Sequence, residues 1–298
     1  MRISSALKND RLCKALTGLS VEEFNRLVID FSWNYTESRI KSKPDRVRRY
    51  GGGIKGRVPN IEDKLFIILF YLKTYPTFDV LGFVYDLPKS KSHRWVHILL
   101  PILEQTLKRK LVLPERQITS VKEFLEKFPE VKDLMLDGVE RRVKRPTNKK
   151  KQNKLYSGKK KTQTRKNIIG ATPDRKIIIL TKTKSGRRHD KRLADKEELA
   201  RKLPPGLTAW IDTGFVGIEK QHKNTQIPKR RSKNHELTEV EKENNSIISS
   251  IRVVVEHAIA GVKRYGCLSQ VYRNRIPNLD DKFMLIASGL WNYHLDFK

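Results

Sequence analysis

Cysteine is scarce in this 298-residue chain: Cys13 and Cys267 are the only two, far apart in sequence. That excludes a disulfide framework and a cysteine-based zinc site, and the cytoplasm, a reducing compartment, is the simplest reading. Long apolar runs are also lacking. The longest, Leu65–Leu72, is bracketed by Lys64 and Lys73, whereas crossing a bilayer takes roughly 20 apolar residues. No apolar stretch follows Arg2, Lys8, Asp10 and Arg11, so no signal peptide is expected. There is no internal repeat. Acidic residues are in deficit, with 33 Asp and Glu against 63 Lys and Arg, a formal net charge of +30. So positive a field favours a polyanionic partner. A membrane partner is not expected, and no aromatic motif of the RNA-recognition type is present. Composition alone leaves DNA and RNA both open, and an RNA-binding role would explain the charge but not the placement of the acids described below.

A hydrophobic fraction of 38% allows a real core. The first third reads as helical. Ser20 and Glu23 form a capping-box pattern ahead of Phe24, Leu27, Val28 and Phe31 at helical spacing. Residues 39–58 are basic and carry Pro44, Gly51, Gly52, Gly53, Gly56 and Pro59 at their end, a loop or linker. Residues 61–107 read as consecutive helices. The first, from Ile61, stops near Pro76. Thr77 caps a short second one, and a third starts at Ser90 or Ser92 with a kink or restart at Pro101. A short helix, a tight turn and a further helix make a helix-turn-helix candidate. Its polar front is Lys89, Lys91, His93 and Arg94, while Phe78, Leu81, Val84, Trp95 and Val96 read as core.

Beyond residue 131 the pattern turns to short strands. Asp133–Asp137 is a strand candidate ending in an acid, Asn167–Ala171 and Lys176–Thr183 are strand-like, and Leu207–Asp212 again ends in an acid. Basic runs at Lys149–Lys151 and Lys159–Lys161 suit contact with a DNA backbone. A polar helix is expected over 190–203, a basic loop over 219–236, a long helix over 238–265 capped by Thr238 and Glu241, and a last helix over about 280–295. This order predicts an α/β layer.

On the long helix, Glu256 follows Arg252 by four residues and precedes Lys263 by seven. At about 100° per residue the three lie within roughly 40° of one another, so Arg, Glu and Lys stand in file on one face. Ile251, Val255, Ala258, Ile259 and Val262 form an apolar flank that fixes where Glu256 points. Asp137 and Asp212 each end an apolar strand, where ligands of open α/β sheets gather. Two such Asp residues and a helix Glu would make an all-oxygen site suited to Mg²⁺ or Mn²⁺.

Five ordered motifs then carry a family resemblance. They are Leu136-Asp137-Gly138-Val139-Glu140 with Arg145-Pro146; Tyr156-Ser157-Gly158-Lys159-Lys160-Lys161; Ser185-Gly186-Arg187-Arg188-His189-Asp190; Asp212-Thr213-Gly214-Phe215-Val216-Gly217; and Arg252-x3-Glu256-x6-Lys263. Over nearly its whole length the chain resembles the DDE transposases of bacterial insertion sequences, specifically the IS5-like group. The related IS4-type motif has a Tyr three positions before the Arg; here Ser249 stands there, and no aromatic clamp is assigned to it.

The resemblance implies a ribonuclease-H-like α/β catalytic core, a mixed sheet flanked by helices, over residues 130–298. It implies an all-α helix-turn-helix domain over 61–115, after an N-terminal helical segment and basic linker over 1–60. It implies cleavage at element ends and attack of the freed 3′-hydroxyl on target DNA. Asp137, Asp212 and Glu256 would hold two divalent ions, Mg²⁺ or in substitution Mn²⁺. Arg252 and Lys263 would contact phosphate near the scissile bond, and Lys89, Lys91, His93, Arg94, Lys159, Lys160 and Lys161 would bind DNA. The partners would be double-stranded DNA, both terminal inverted repeats and target, with at least a dimer in the synaptic complex. The setting would be cytoplasmic, on the nucleoid. Two other outcomes stay open: an endonuclease that does not mobilise an element, and a DNA-binding regulator with a decayed core. His189 and Asp190 read as a turn after a strand, outside the catalytic set.

Overall fold

Side-chain caps decide where the N-terminal helices start. α1 (Ile3–Ala6) and α2 (Asp10–Thr17) precede α3 (Val21–Lys41). At the start of α3, Ser20 Oγ accepts from the Glu23 amide (3.1 Å) and Glu23 Oε2 accepts from the Ser20 amide (2.7 Å), the expected capping box. Then come α4 (Ile61–Thr74), α5 (Phe78–Tyr85) and α6 (Lys89–Arg109). The computed structural model describes residues 3–42, 44–45, 56–232 and 236–297, so most of the basic stretch 39–58 lies outside the described residues. Every residue from Lys64 to Leu72 is buried. A helix apolar on all sides belongs in the middle of its unit, and α4 packs against α2, α3 and α6. No helix among the described residues is long and apolar enough to cross a membrane.

Thr77 caps α5 as expected, accepting from the Val80 amide at 3.3 Å. The next helix differs from expectation. It starts at Lys89, directly after Pro88, and runs through Pro101 to Arg109 without a break. Proline's fixed φ suits helix entry, and Ser92 is instead buried inside the helix, its Oγ donating to the Pro88 carbonyl at 3.3 Å. Pro101 lies exposed, where water can serve the carbonyl that the missing N–H leaves. Of the expected core, Leu81 and Val96 are fully buried, while Phe78, Val84 and Trp95 are partly buried.

The α5–α6 turn depends on Gly82. Its carbonyl accepts from the Leu87 amide at 2.8 Å, and a Cβ there would fall 2.4 Å from the Leu87 carbonyl oxygen. Backbone cannot yield as a flexible side chain would. Gly82→Ala is expected to destabilise this unit by about 1–3 kcal/mol, the usual cost of overpacking, read as a lower denaturation midpoint.

The described residues divide into two compact units. One comprises the chain up to Leu113 with Arg264–Gln270, the other Pro114–Lys263 with Val271–Leu295. The second unit runs α7 (Val121–Lys127), β1 (Asp133–Arg142), α8 (Lys149–Leu155), β2 (Tyr156–Ser157), β3 (Thr162–Ala171), β4 (Ile177–Leu180), β5 (Lys184–Ser185), α9 (Asp190–Lys196), β6 (Thr208–Ile211), β7 (Thr225–Gln226) and α10 (Glu239–Lys263). After α11 (Gly266–Ser269), which belongs to the first unit, it ends in α12 (Leu279–Leu295).

Seven strands form one mixed sheet in the order β2-β3-β1-β6-β7, with β4 and β5 also pairing with β3. β1 runs antiparallel to β3 and parallel to β6. Side chains alternate across a strand, so Leu134, Leu136, Gly138 and Glu140 share one face and Met135, Asp137, Val139 and Arg141 the other. The first face packs on α9 through a core of Leu134, Leu136, Ile168, Leu193, Ala194 and Phe215. The second face receives α10, which also packs on α12. This is a ribonuclease-H-like α/β core, a mixed sheet flanked by helices.

Four elements of this unit differ from the sequence reading, one of them β7, which pairs with β6 inside the expected basic loop 219–236. β1 extends five residues past Asp137, because Gly138–Arg142 stay paired with β3. Lys149–Leu155 forms a helix, with Asn148 Oδ1 accepting from the Lys151 amide at 3.0 Å. The polar helix expected over 190–203 is α9 followed by a short 3-10 turn, Ala200–Lys202. The long helix starts as expected: Thr238 and Glu241 exchange their capping bonds at 3.0 and 3.3 Å.

Candidate active site

Asp137 lies inside β1, but at the point where β1 loses its parallel neighbour. The last β1–β6 pair is Leu136 with Ile211, so Asp137 and Asp212 stand one step beyond it on adjacent strands. Each folds its carboxylate back on the next residue: Asp137 Oδ1 accepts from the Gly138 amide and Asp212 Oδ1 from the Thr213 amide, both at 2.7 Å. Asp212 thereby caps the short 3-10 turn Thr213–Phe215.

Arg252 joins the two. Packed on the sheet through α10, it is buried, with Nη2 3.9 Å from Asp137 Oδ1 and Nη1 3.8 Å from Asp212 Oδ1. At these lengths the guanidinium balances charge more than it makes short hydrogen bonds. The Asp137 carboxyl is pushed up from its ordinary range by burial, with the Asp212 and Asp190 carboxylates adding to the rise and the Gly138 N–H and Arg252 opposing it. Among the described residues no hydrogen bond uses Oδ2 of either acid.

Glu256 sits one turn after Arg252 on α10 and is exposed. Among the described residues no group of three or more His, Cys, Asp or Glu could hold a metal ion. The structure thus brings together Asp137, Asp212 and Arg252, and does not gather Glu256 with them. Lys263, two turns after Glu256, has an exposed side chain. Desolvation and the charge of Lys160 hold its amine below the ordinary lysine range, against Asp137 and Glu140. Ser249 is exposed on the same helix.

The basic candidates are solvent-facing. Lys159, Lys160 and Lys161 form the exposed turn between β2 and β3. In the first unit Lys89, Lys91, His93 and Arg94 are exposed on the opening turns of α6. Lys89 pairs with Asp79 at 2.8 Å, and the His93 ring meets Phe78 edge-on, centroids 5.0 Å apart.

The sequence reading missed the group behind the two acids. Lys166 is buried and pairs with Glu140 at 2.9 Å and with Asp190 at 3.0 Å. Burial works against both charges, but their pairing wins: the Lys166 amine is pushed up and the Glu140 carboxyl down. Lys166 was hidden in a run of basic residues. Asp190 was visible in the Arg188-His189-Asp190 motif and was read as a turn. An open cleft of about 710 Å³ begins at Asp212 and Gly214 and continues past Asp190, Arg188, Lys159 and the exposed Tyr156.

A basic chain whose mixed sheet sets two carboxylates side by side under a buried arginine has the charge to meet a polyanion and the acids to face it. Residues 136–292 match the family described as DDE superfamily endonuclease, and residues 57–109 match the helix-turn-helix of that superfamily. The chain belongs to the DDE superfamily endonucleases. It is 32% identical over 291 residues, 97% of this chain and 96% of the other, to a protein of Microchaete diplosiphon named "Probable transposase for insertion sequence element IS702". No solved structure matches it.

Proposed function

We propose that this chain is a transposase that cleaves DNA at the ends of its own element and transfers the freed 3′-hydroxyl to target DNA. The observation that carries this reading is the side-by-side placement of Asp137 and Asp212 where the β1–β6 pairing ends, with Arg252 across both. Two hard oxygen donors with their Oδ2 atoms free of hydrogen bonds fit a divalent cation such as Mg²⁺ or Mn²⁺. Asp137 and Asp212 would hold it, with Glu256 as the third carboxylate. A divalent ion held there supplies Lewis-acid chemistry, lowering the pKa of a hydroxyl and stabilising a leaving oxygen.

The chain's own residues do the rest. Arg252 keeps the two carboxylates from repelling each other and faces the phosphate that approaches them. Lys263, on the same helix and within electrostatic reach of Asp137, offers a second cation to that phosphate. Lys159–Lys161 and the cleft beyond Asp212 hold the backbone of the strand. In the first unit α6 presents Lys91, His93 and Arg94 to a groove of the duplex.

The test is cleavage of a plasmid carrying the element with its flanking DNA, in Mg²⁺. Wild type should nick at the element boundaries, and Asp137→Asn and Asp212→Asn should not. Cleavage by both variants at the wild-type rate would refute the reading. A second measurement addresses binding. If the exposed lysines contact phosphates, log K should fall linearly with log salt, by about 0.9 per contact. Lys91→Ala and Arg94→Ala should each reduce that slope by about one. A flat salt response would exclude these contacts.

A further inference from the structure

We infer that Asp190 is a positioning residue for the cleavage reaction, resting on the function proposed above: its carboxylate packs against both acid-bearing segments, β1 just after Asp137 and the turn after Asp212. Strand alternation puts Asp137 on the α10 face of β1 and Gly138 on the α9 face. Asp190 opens α9 and reaches the α9 face, where Gly138 lies. A Cβ on Gly138 would fall 2.3 Å from Asp190 Oδ1, and one on Gly214 would fall 3.1 Å from Asp190 Oδ2. One oxygen therefore packs against the backbone directly after Asp137, and the other against the turn directly after Asp212. A single side chain thus spans the two acid-bearing backbones just past the last β1–β6 pair. Glycine at both places makes the approach possible.

Asp190 is itself fixed. The Lys166 ammonium has three N–H donors and three oxygens around it: Glu140 Oε1 at 2.9 Å, Asp190 Oδ1 at 3.0 Å and the Arg188 carbonyl at 3.1 Å. Glu140 is held in turn by Thr164, whose Oγ1 donates to Oε2 at 3.0 Å. Glu140 and Lys166 are direct cross-strand partners on β1 and β3, so the anchor is part of the sheet. With its charge already met by Lys166, and standing on the face opposite Asp137, Asp190 acts on the reaction through the backbones of its neighbours.

That role ranks substitutions in an unusual order. Asn has the shape of Asp, and its carbonyl oxygen keeps the place beside the Lys166 ammonium that Asp190 Oδ1 holds at 3.0 Å. Glu keeps the charge but is one methylene longer and drives into the Gly138 backbone. Asp190→Asn should therefore cut DNA within about threefold of wild type, while Asp190→Glu and Asp190→Ala should lose roughly 10–100-fold in kcat. DNA affinity, read by fluorescence anisotropy on a labelled duplex, is measured for all three so that a loss in kcat is separated from a change in binding. Mn²⁺ binding, read on the full chain from the free-ion paramagnetic resonance signal, should weaken roughly 10–100-fold in Asp190→Ala and Asp190→Glu and stay near wild type in Asp190→Asn.

The reverse order, with Glu active and Asn inactive, would overturn the inference and make Asp190 a direct ligand. Wild-type behaviour of Asp190→Glu and Asp190→Ala in both assays would overturn it as well. If Asp190→Ala does not fold, the Asn and Glu variants still decide. The two readings fail separately. Mn²⁺ binding that follows the predicted order in a protein that never cuts DNA would retain the positioning role and refute the proposed reaction.

Discussion

Glu256→Gln is expected to abolish cleavage while leaving the protein folded and bound to DNA. The side chain is exposed on α10, so exchanging its carboxylate for an amide removes no buried contact and should shift the denaturation midpoint little. Its place is nevertheless directed. It lies four residues after Arg252, roughly 40° around the helix, and Arg252 already reaches Asp137 and Asp212 at 3.9 and 3.8 Å. The apolar flank of Val255, Ala258, Ile259 and Val262 is buried and fixes the rotation of α10. On the proposed function, a carboxylate at that position would serve as the third oxygen donor beside Asp137 and Asp212. Loss of that charge should cost at least about 10²-fold in the cleavage rate, the scale seen when one electrostatic contact to a developing charge is removed. The measurement is the initial nicking rate in Mg²⁺, with duplex affinity by anisotropy as the control. A Glu256→Gln protein that nicks at the wild-type rate would remove Glu256 from the site and leave a two-carboxylate centre.

The parts of this arrangement that are local in sequence could be read from it, and the parts made by distant contacts could not. The capping boxes at Ser20 and Thr238 and the cap at Thr77 each use residues three apart, and all three form. Asp212 ends an apolar strand in the sequence and in the fold. β1 was misjudged because Glu140, Arg141 and Arg142 look like surface. Arg141 is in fact buried, its guanidinium donating to Asn167 at 2.6 Å and to the Asp280 carbonyl at 2.9 Å, the latter 139 residues away. Lys166 was obscured for the same reason: a cation in a basic run reads as solvated, and only the pairing of β1 with β3 shows that Glu140 stands opposite it. The link between Arg252 and the two acids joins three elements whose sequence positions give no distance. Helix phase put Arg252 beside Glu256. Strand register put Asp137 beside Asp212, and only the packing of α10 on the sheet joined the pairs.

Asp280→Ala is expected to be the most destabilising single change in the catalytic unit. Asp280 opens α12 with its side chain 1% exposed, between Arg165 at 2.8 Å and the buried Arg141. Removing the carboxylate takes the counter-charge from Arg165, 2.8 Å away, and from the buried Arg141, 4.0 Å away, and one-sided loss of a buried ion costs up to about 3–5 kcal/mol. The neighbouring Asp281 adds a pH signature. It accepts from both the Thr183 amide at 2.7 Å and Arg116 at 2.6 Å, tying α12 to the strand side of the unit. Burial would raise its carboxyl, but Arg116 and Thr183 outweigh burial and hold it below its ordinary value of 3.8. A carboxylate with a depressed folded pKa stabilises the fold above its unfolded pKa, and loses that contribution as the pH falls through the folded value. Stability should therefore decline below about pH 4, and Asp281→Asn should be less stable at neutral pH and decline less steeply in acid. Urea denaturation of both variants between pH 3 and pH 7 measures this. A full-strength acid decline in Asp281→Asn would remove Asp281 as its source. An Asp280→Ala midpoint equal to wild type would show that Asn167 and Thr183 satisfy Arg141 without its acid.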